Sequence, residues 1–230
     1  MCRKVRFLAH VGLLVIASHL YSQGGPPRTP KLFQGPPKTP EQVLREAGIA
    51  LDKDSLIQAL DDNRVGILAS AATVLAERGI TEAVAAIDAR MKAAQNKQLV
   101  LTLAQSLNIL GSSDGTKQLE AFRLGKEVDD AERMRAANAL AYTKNYSCLP
   151  MMPEFLLSRH QDYRQAALLY LLNIPSPQKN APNTLGPALL TIASSDPDEQ
   201  FRALAKKVIG QIGDQATKDA LLRSAPNDSK

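Results

Sequence analysis

The sequence predicts an all-α fold, a solenoid of about five to six stacked helical hairpins. Three observations carry that expectation. No proline occurs from Glu41 to Leu149, and Ala, Leu, Glu, Gln, Arg and Lys are abundant there, as in helices. Apolar residues recur at i, i+3, i+4 and i+7, the spacing that lays one helix face against a core. The same frame returns five times, as Leu68/Ala71/Ala72/Leu75, Val100/Leu103/Ala104/Leu107, Met134/Ala137/Asn138/Ala141, Tyr163/Ala166/Ala167/Tyr170 and Phe201/Leu204/Ala205/Val208. Their first members lie 32, 34, 29 and 38 residues apart, about 33 on average. One hairpin cannot bury both faces of its helices, whereas a stack of them shares a continuous core.

In chain order, residues 1–22 read as a secretory signal peptide. Arg3, Lys4 and Arg6 form a positive start, Phe7 to Ala17 an apolar run interrupted by His10 and Gly12, and Ala17, Ser18 and Ser22 offer small residues for cleavage after Ser22 or Ser18. The alternative is an uncleaved membrane tether, but the 15 residues from Phe7 to Tyr21 include two His and fall short of the roughly 20 apolar residues of a span. The mature chain is therefore expected in the periplasm or outside the cell, with no stable membrane span after cleavage. Cys2 would leave with the signal. Cys148 would then stand alone in an oxidising compartment, as a buried apolar side chain or as a reactive thiol.

Residues 23–39 form a Pro-rich linker in which Gly25-Pro26-Pro27-Arg28-Thr29-Pro30 recurs as Gly35-Pro36-Pro37-Lys38-Thr39-Pro40. Such a segment favours extended polyproline II and serves as a semi-rigid spacer; a P-x-x-P docking motif is the alternative. The repeat domain, residues 40–230, opens where Thr39 can cap a helix, Pro40 suits its first turn and Gln42 stands at the capping-box position. A leading hairpin over about 40–60 precedes five repeats. Their second helices carry Val84/Ile87/Met91, Leu119/Phe122, Met152/Phe155/Leu156, Leu185/Ala188/Leu189/Ile192 and Ala220/Leu221. Breaks near Gly79, Gly111, Asn145, Asn173 and Gly213 suit left-handed helix ends. A loop insertion from Ile174 to Pro182 explains the longest spacing, and Asn138 interrupts the apolar frame of the third segment.

Met134-Arg135-Ala136-Ala137-Asn138-Ala139-Leu140, Tyr163-Arg164-Gln165-Ala166-Ala167 and Phe201-Arg202-Ala203-Leu204-Ala205 resemble the V-R-x-x-A…L-G core of HEAT repeats, closest to the short type named after phycobilisome lyases. The resemblance covers about residues 40–223 and implies a right-handed α-α superhelix. It also implies a ladder of Asp and Arg residues along the stacked turns: Asp130 with Arg135, Asp162 with Arg164, and Asp198 with Arg202 or with the Arg of the next repeat. Leu68-Ala69 and Val100-Leu101 lack the matching Arg, so the ladder is not expected in the first two repeats.

Few residues offer chemistry. Aromatics make up 4% with no Trp, and the whole chain has three His and two Cys. After export His160 would be the remaining histidine, within Arg159-His160-Gln161-Asp162-Tyr163-Arg164. Cys148 lies about 12 residues away, at the other end of a helix, roughly 15 Å or more at 1.5 Å per residue. Gly111-Ser112-Ser113-Asp114-Gly115-Thr116 lacks the Lys and spacing of a phosphate-cradling loop and reads as a turn with capping Ser and Asp. Glu127-Val128-Asp129-Asp130 reads as an acidic first turn favoured by the helix dipole rather than a calcium loop. Asn145-Tyr146-Ser147 and Asn227-Asp228-Ser229 match the glycosylation sequon. No catalytic, cofactor-binding or metal-binding residues are assigned, and no cofactor is expected.

The chain carries 28 Lys+Arg against 23 Asp+Glu, a net charge of +5. Arg3, Lys4 and Arg6 belong to the signal and Arg28, Lys31 and Lys38 to the linker, which leaves 22 basic against 23 acidic residues in the array, a balance of −1. That balance does not favour a nucleic-acid binder. The leading expectation is a non-enzymatic scaffold that binds a protein partner through exposed side chains, with Glu82, Arg90, Lys117, Arg123, Arg159 and His160 as candidate contacts. The alternatives are a lyase-like accessory enzyme and a nucleic-acid-binding protein.

Overall fold

The structure is a computed structural model that describes residues 38–125, 127–175 and 181–224. The expected signal peptide, residues 23–37 of the linker, much of the insertion after Pro175 and the second sequon lie outside these residues. The chain divides into two units, residues 1–39 and 40–230.

Among the described residues every regular element is helical. Twelve α-helices follow one another: α1 (Pro40–Glu46), α2 (Lys53–Gln58), α3 (Val65–Glu77), α4 (Val84–Ala93), α5 (Lys97–Ile109), α6 (Ser113–Leu124), α7 (Asp130–Tyr142), α8 (Met152–Leu156), α9 (Gln161–Leu172), α10 (Leu185–Ser195), α11 (Glu199–Ile212) and α12 (Gln215–Ser224). Short 3-10 turns at 59–61, 81–83 and 149–151 lead out of α2 and into α4 and α8. The five framed segments fall on α3, α5, α7, α9 and α11, and each of these packs on the next, with α1 packed on α3. This is an all-α, solenoid-like stack.

Small side chains set the spacing of that stack. Ala71, Ala72, Ala104, Ala137, Ala167 and Ala205 are all fully buried, so neighbouring first helices approach closely. One contiguous core runs from Leu44 in α1 to Ile212 in α11. Val100, Tyr163 and Leu204 begin or extend the apolar frame but are only partly buried, at the margin of that core. Packing within and between repeats both contribute: α6 packs on α5 within a hairpin, while across the repeat boundary α4 packs on α5, α6 on α7 and α10 on α11. Three-residue links, 94–96 and 196–198, join α4 to α5 and α10 to α11, whereas longer connections precede α4 and α10.

Four helix ends share one device. Gly48, Gly79, Gly111 and Lys144 have φ of 76°, 67°, 82° and 65°. At each, the left-handed residue donates its N–H three residues back, and the next N–H reaches five residues back. Gly79 to Ala76 and Ile80 to Leu75, both at 3.0 Å, are one such pair; Lys144 to Ala141 at 2.9 Å and Asn145 to Leu140 at 3.0 Å are another. This is the Schellman cap, which satisfies carbonyls that a helix end leaves open. The breaks expected at Asn145, Asn173 and Gly213 need correction. Lys144 takes the left-handed position in place of Asn145, and Asn173 (φ −79°) and Gly213 (φ −62°) are not left-handed. At the end of α9, the Gln211 amide reaches from α11 to donate to the carbonyls of Leu172, at 3.0 Å, and Ile174. A side chain from the first helix of the following repeat thus serves the end that lacks a Schellman cap.

A lysine pays a steric penalty in that conformation that glycine avoids. Lys144→Gly is therefore expected to stabilise the array by about 1 kcal/mol. Urea unfolding monitored by circular dichroism checks it, and a loss of stability would contradict the capping account.

Helix starts depend on particular acceptors. Asp52 and Asn96 accept from the N–H groups of Ser55, at 2.9 Å, and Leu99, at 3.1 Å. Asp129 and Glu132 form a reciprocal capping box at α7, where the sequence suggested only an acidic first turn. Ser112, by contrast, occupies the cap position of α6 without a side-chain cap bond, and Asp114 lies inside the first turn. Ser112 is backbone-engaged instead, its N–H completing the α5 Schellman cap.

Candidate interaction surface

The Asp and Arg residues that the resemblance places in a ladder take other partners than the implied ones. Asp130 pairs with Arg133 at 2.9 Å, not with Arg135. Arg135 reaches back across the repeat to the Gln98 side chain and to Thr102 Oγ1, while Gln98 donates to Glu132 at 3.1 Å. Arg164 pairs with Asp196 at 2.8 Å, not with Asp162, which is exposed in the first turn of α9. Asp198 caps α11 and accepts from Gln161 at 3.2 Å rather than pairing with Arg202. Arg202 donates to the carbonyls of Asp196, at 2.7 Å, and Pro197. The offset between stacked helices carries Arg135 and Arg164 to polar groups of a neighbouring repeat, away from the carboxylate nearest in sequence, while Arg202 bonds the turn before its own helix. Polar ties also join the leading hairpin to the first repeat: Arg78 bonds Glu41 at 2.7 Å and Lys53 bonds Glu82 at 3.3 Å.

A buried polar tie joins three helices. Asn108 donates to the Ala139 carbonyl at 2.9 Å and to Thr143 Oγ1 at 3.0 Å, and accepts from Thr116 Oγ1 at 2.8 Å. It sits one helical turn after Ala104 on the buried face, where an amide in an apolar frame was the only sequence signal for it.

The candidate contacts spread over several elements. Glu82 is held by Lys53, Arg90 by Asp61 and Lys117 by Asp114 at 3.4 Å. Arg159 is exposed, and its carbonyl accepts from Arg164. His160 is exposed at the cap position of α9, edge-on to Tyr163 with ring centroids 5.3 Å apart. Arg123 differs from the rest. It stands in the last turn of α6 and lines a cleft of about 430 Å³ with Leu124, Gly125, Val128, Asp130 and Arg133. Its Nε is buried with no hydrogen-bond partner.

Cys148 is fully buried just before the 149–151 turn, whereas His160 is at the surface, so the pair is not assembled for nucleophilic chemistry. Burial pushes the Cys148 thiol up from 9.0 to about 11, with the Arg123 charge opposing it. Burial raises the Tyr170 hydroxyl in the same way, and that hydroxyl has no hydrogen-bond partner. The thiol is thus protonated at neutral pH, and the uncharged form is the inert one. Cys148 is expected not to react with a thiol reagent at pH 8 until denaturant is added. Because its folded value is raised, its stabilising contribution is complete below pH 9 and is lost as pH climbs toward 11. Cys148→Ala should flatten part of the alkaline fall in the unfolding midpoint; an unchanged profile would contradict this.

Among the described residues no group of three or more His, Cys, Asp or Glu side chains is placed to hold a metal ion, and no helix is long and apolar enough to cross a membrane. No protein-family model matches the chain, and no curated protein is significantly similar to it.

Proposed function

We propose that this chain is an exported, non-enzymatic interaction module of the HEAT-repeat kind, wound as a right-handed superhelix, whose outward helix faces bind a protein partner. One observation carries the reading. A single core occupies the inward faces of successive helices, while rigid outward faces stay available, with Ala85, Ala89 and Lys92 exposed on α4 and Ser113, Lys117, Ala121 and Leu124 on α6. Rigid helices present such side chains at little ordering cost, which favours recognition. The near-neutral array suits a protein surface better than a polyanion. The proposal places the mature chain beyond the cytoplasm on a Pro-rich spacer.

The test is cross-linking of the full mature chain in its own compartment, with fractionation. A reproducible protein partner in the exported fraction is expected. A chain found only in the cytoplasm with its N-terminus intact would overturn the export reading, and failure to cross-link any protein would overturn the module.

A further inference from the structure

A stack of helical repeats is held together only by the interfaces between successive units. From α3 onward, every join between consecutive helices is bridged by at least two close pairs of elements, save one. The join after α7 is bridged closely by α7 against α9 alone, among the described residues. α8 packs on α9 and α10, not on α6 or α7. The array thus falls into two blocks, α1–α7 and α8–α12, with the link 143–148 between α7 and the turn before α8. That link is tied to both blocks. Asn145 donates its side-chain amide to Glu120 of α6 at 3.5 Å, while the Tyr146 hydroxyl donates to the Asn173 carbonyl at the end of α9, at 3.3 Å. Arg123 stands one turn after Glu120 and Tyr170 one turn before Asn173, so α6 and α9 bring both to this link. Three of the four buried side-chain polar atoms without a hydrogen-bond partner among the described residues collect here: Arg123 Nε, Ser147 Oγ and Tyr170 Oη. One belongs to each block and one to the link. A polar atom shielded from water and left unpaired loses its hydration and gains nothing in return. The closed junction carries that cost, and separation of the blocks removes it.

We propose that residues 143–148 form a hinge, about which α8–α12 swing away from α1–α7 while both blocks stay folded. The hinge stands whether or not the chain binds a protein partner. Opening gives up the α7–α9 contact and the exposed Arg133–Glu154 pair, at 3.5 Å, and in exchange hydrates Arg123, Ser147 and Tyr170. It also changes the angle between the outward helix faces of the two blocks. Each block keeps its own core, because the joins within it are bridged more than once. Cys148, fully buried beside Ser147, is exposed by the same movement and reports on it.

In the mature chain, residues 23–230, Cys148 is the one cysteine. Its labelling by a thiol reagent at pH 8 is followed across a urea series, with circular dichroism recorded in parallel. Labelling is expected in urea too dilute to change the helical signal, at least about tenfold faster than global unfolding permits. Ala72→Cys in a Cys148→Ala chain places a thiol in the core of the first block, away from the link. That thiol should label only at the global-unfolding rate of its own variant. Tyr170→Phe removes one stranded hydroxyl and should slow Cys148 labelling about fivefold with circular dichroism unchanged. Cys148 labelling that follows global unfolding would overturn the hinge, as would labelling of Ala72→Cys ahead of its own unfolding. Unchanged or faster labelling in Tyr170→Phe would overturn it too, because the hydroxyl would then carry no cost in the closed junction.

Discussion

Gly115→Ala should destabilise the array by about 2–3 kcal/mol, near the upper end of the usual range for overpacking. A Cβ at Gly115 would stand 2.5 Å from Leu107 Cβ, 2.6 Å from the Asn108 nitrogen and 2.7 Å from the Ala104 carbonyl oxygen. Two of those atoms are backbone, so no rotamer change relieves the contact and α6 must move away from α5. That movement also strains the Thr116 bond to Asn108 and with it the tie to α7. Gly66→Ala in α3 is the control, because a Cβ there meets nothing within 4 Å. It should be neutral or stabilising by up to about 1 kcal/mol, since alanine favours helix over glycine. Urea unfolding of both variants checks the contrast. Equal effects at the two positions would show that helix propensity, not the close approach of α5 and α6, governs Gly115.

The second large effect is expected at the buried ion pair of α9. The Asp196 side chain is 2% exposed and that of Arg164 13%. Asp196 also accepts from the Asp198 N–H at 2.9 Å, and Arg164 donates to the Ser158 carbonyl at 3.1 Å and lies 5.6 Å from the Phe201 ring centroid. Asp196→Ala leaves a buried guanidinium without its counter-charge and should cost about 3–5 kcal/mol. Asp196→Asn keeps an acceptor for Asp198 and should cost less. The double variant Arg164→Met with Asp196→Ala should lose clearly less than the two single losses combined, because removing both charges leaves neither one stranded. Additive losses in urea unfolding would show that Arg164 and Asp196 act independently.

Helix position and buried face were legible in the sequence to a fine degree. Every framed segment lies on a first helix and the framed alanines are buried. The reason is local: a 3.6-residue period in side-chain polarity decides both the conformation and the face that turns inward. Helix ends were legible only in part. Gly79 and Gly111 announced their left-handed caps, but Lys144 did not, because lysine has no preference for that conformation. The end of α9 was hidden for a different reason, since its carbonyls are served by Gln211, almost forty residues later.

The interaction surface was least legible. In the sequence Arg123 was one charged residue among several candidates, and Lys117, Arg90 and Glu82 looked equivalent to it. What separates it is the absence of a local partner and the cleft beside it. Neither property belongs to the residue or its neighbours in sequence.

By itself, then, the sequence determined an all-helical repeat, its register and its near-neutral charge, because each follows from composition or from periodicity within a dozen residues. Only the tertiary structure decided which polar groups meet. Arg164 finds Asp196 and not Asp162, Arg135 finds Gln98 and not Asp130, and Arg123 Nε finds no hydrogen-bond partner among the described residues. These outcomes depend on how far one helix is displaced along the next. A shift of one turn, about 5.4 Å, exchanges every partner while leaving the apolar frame unchanged.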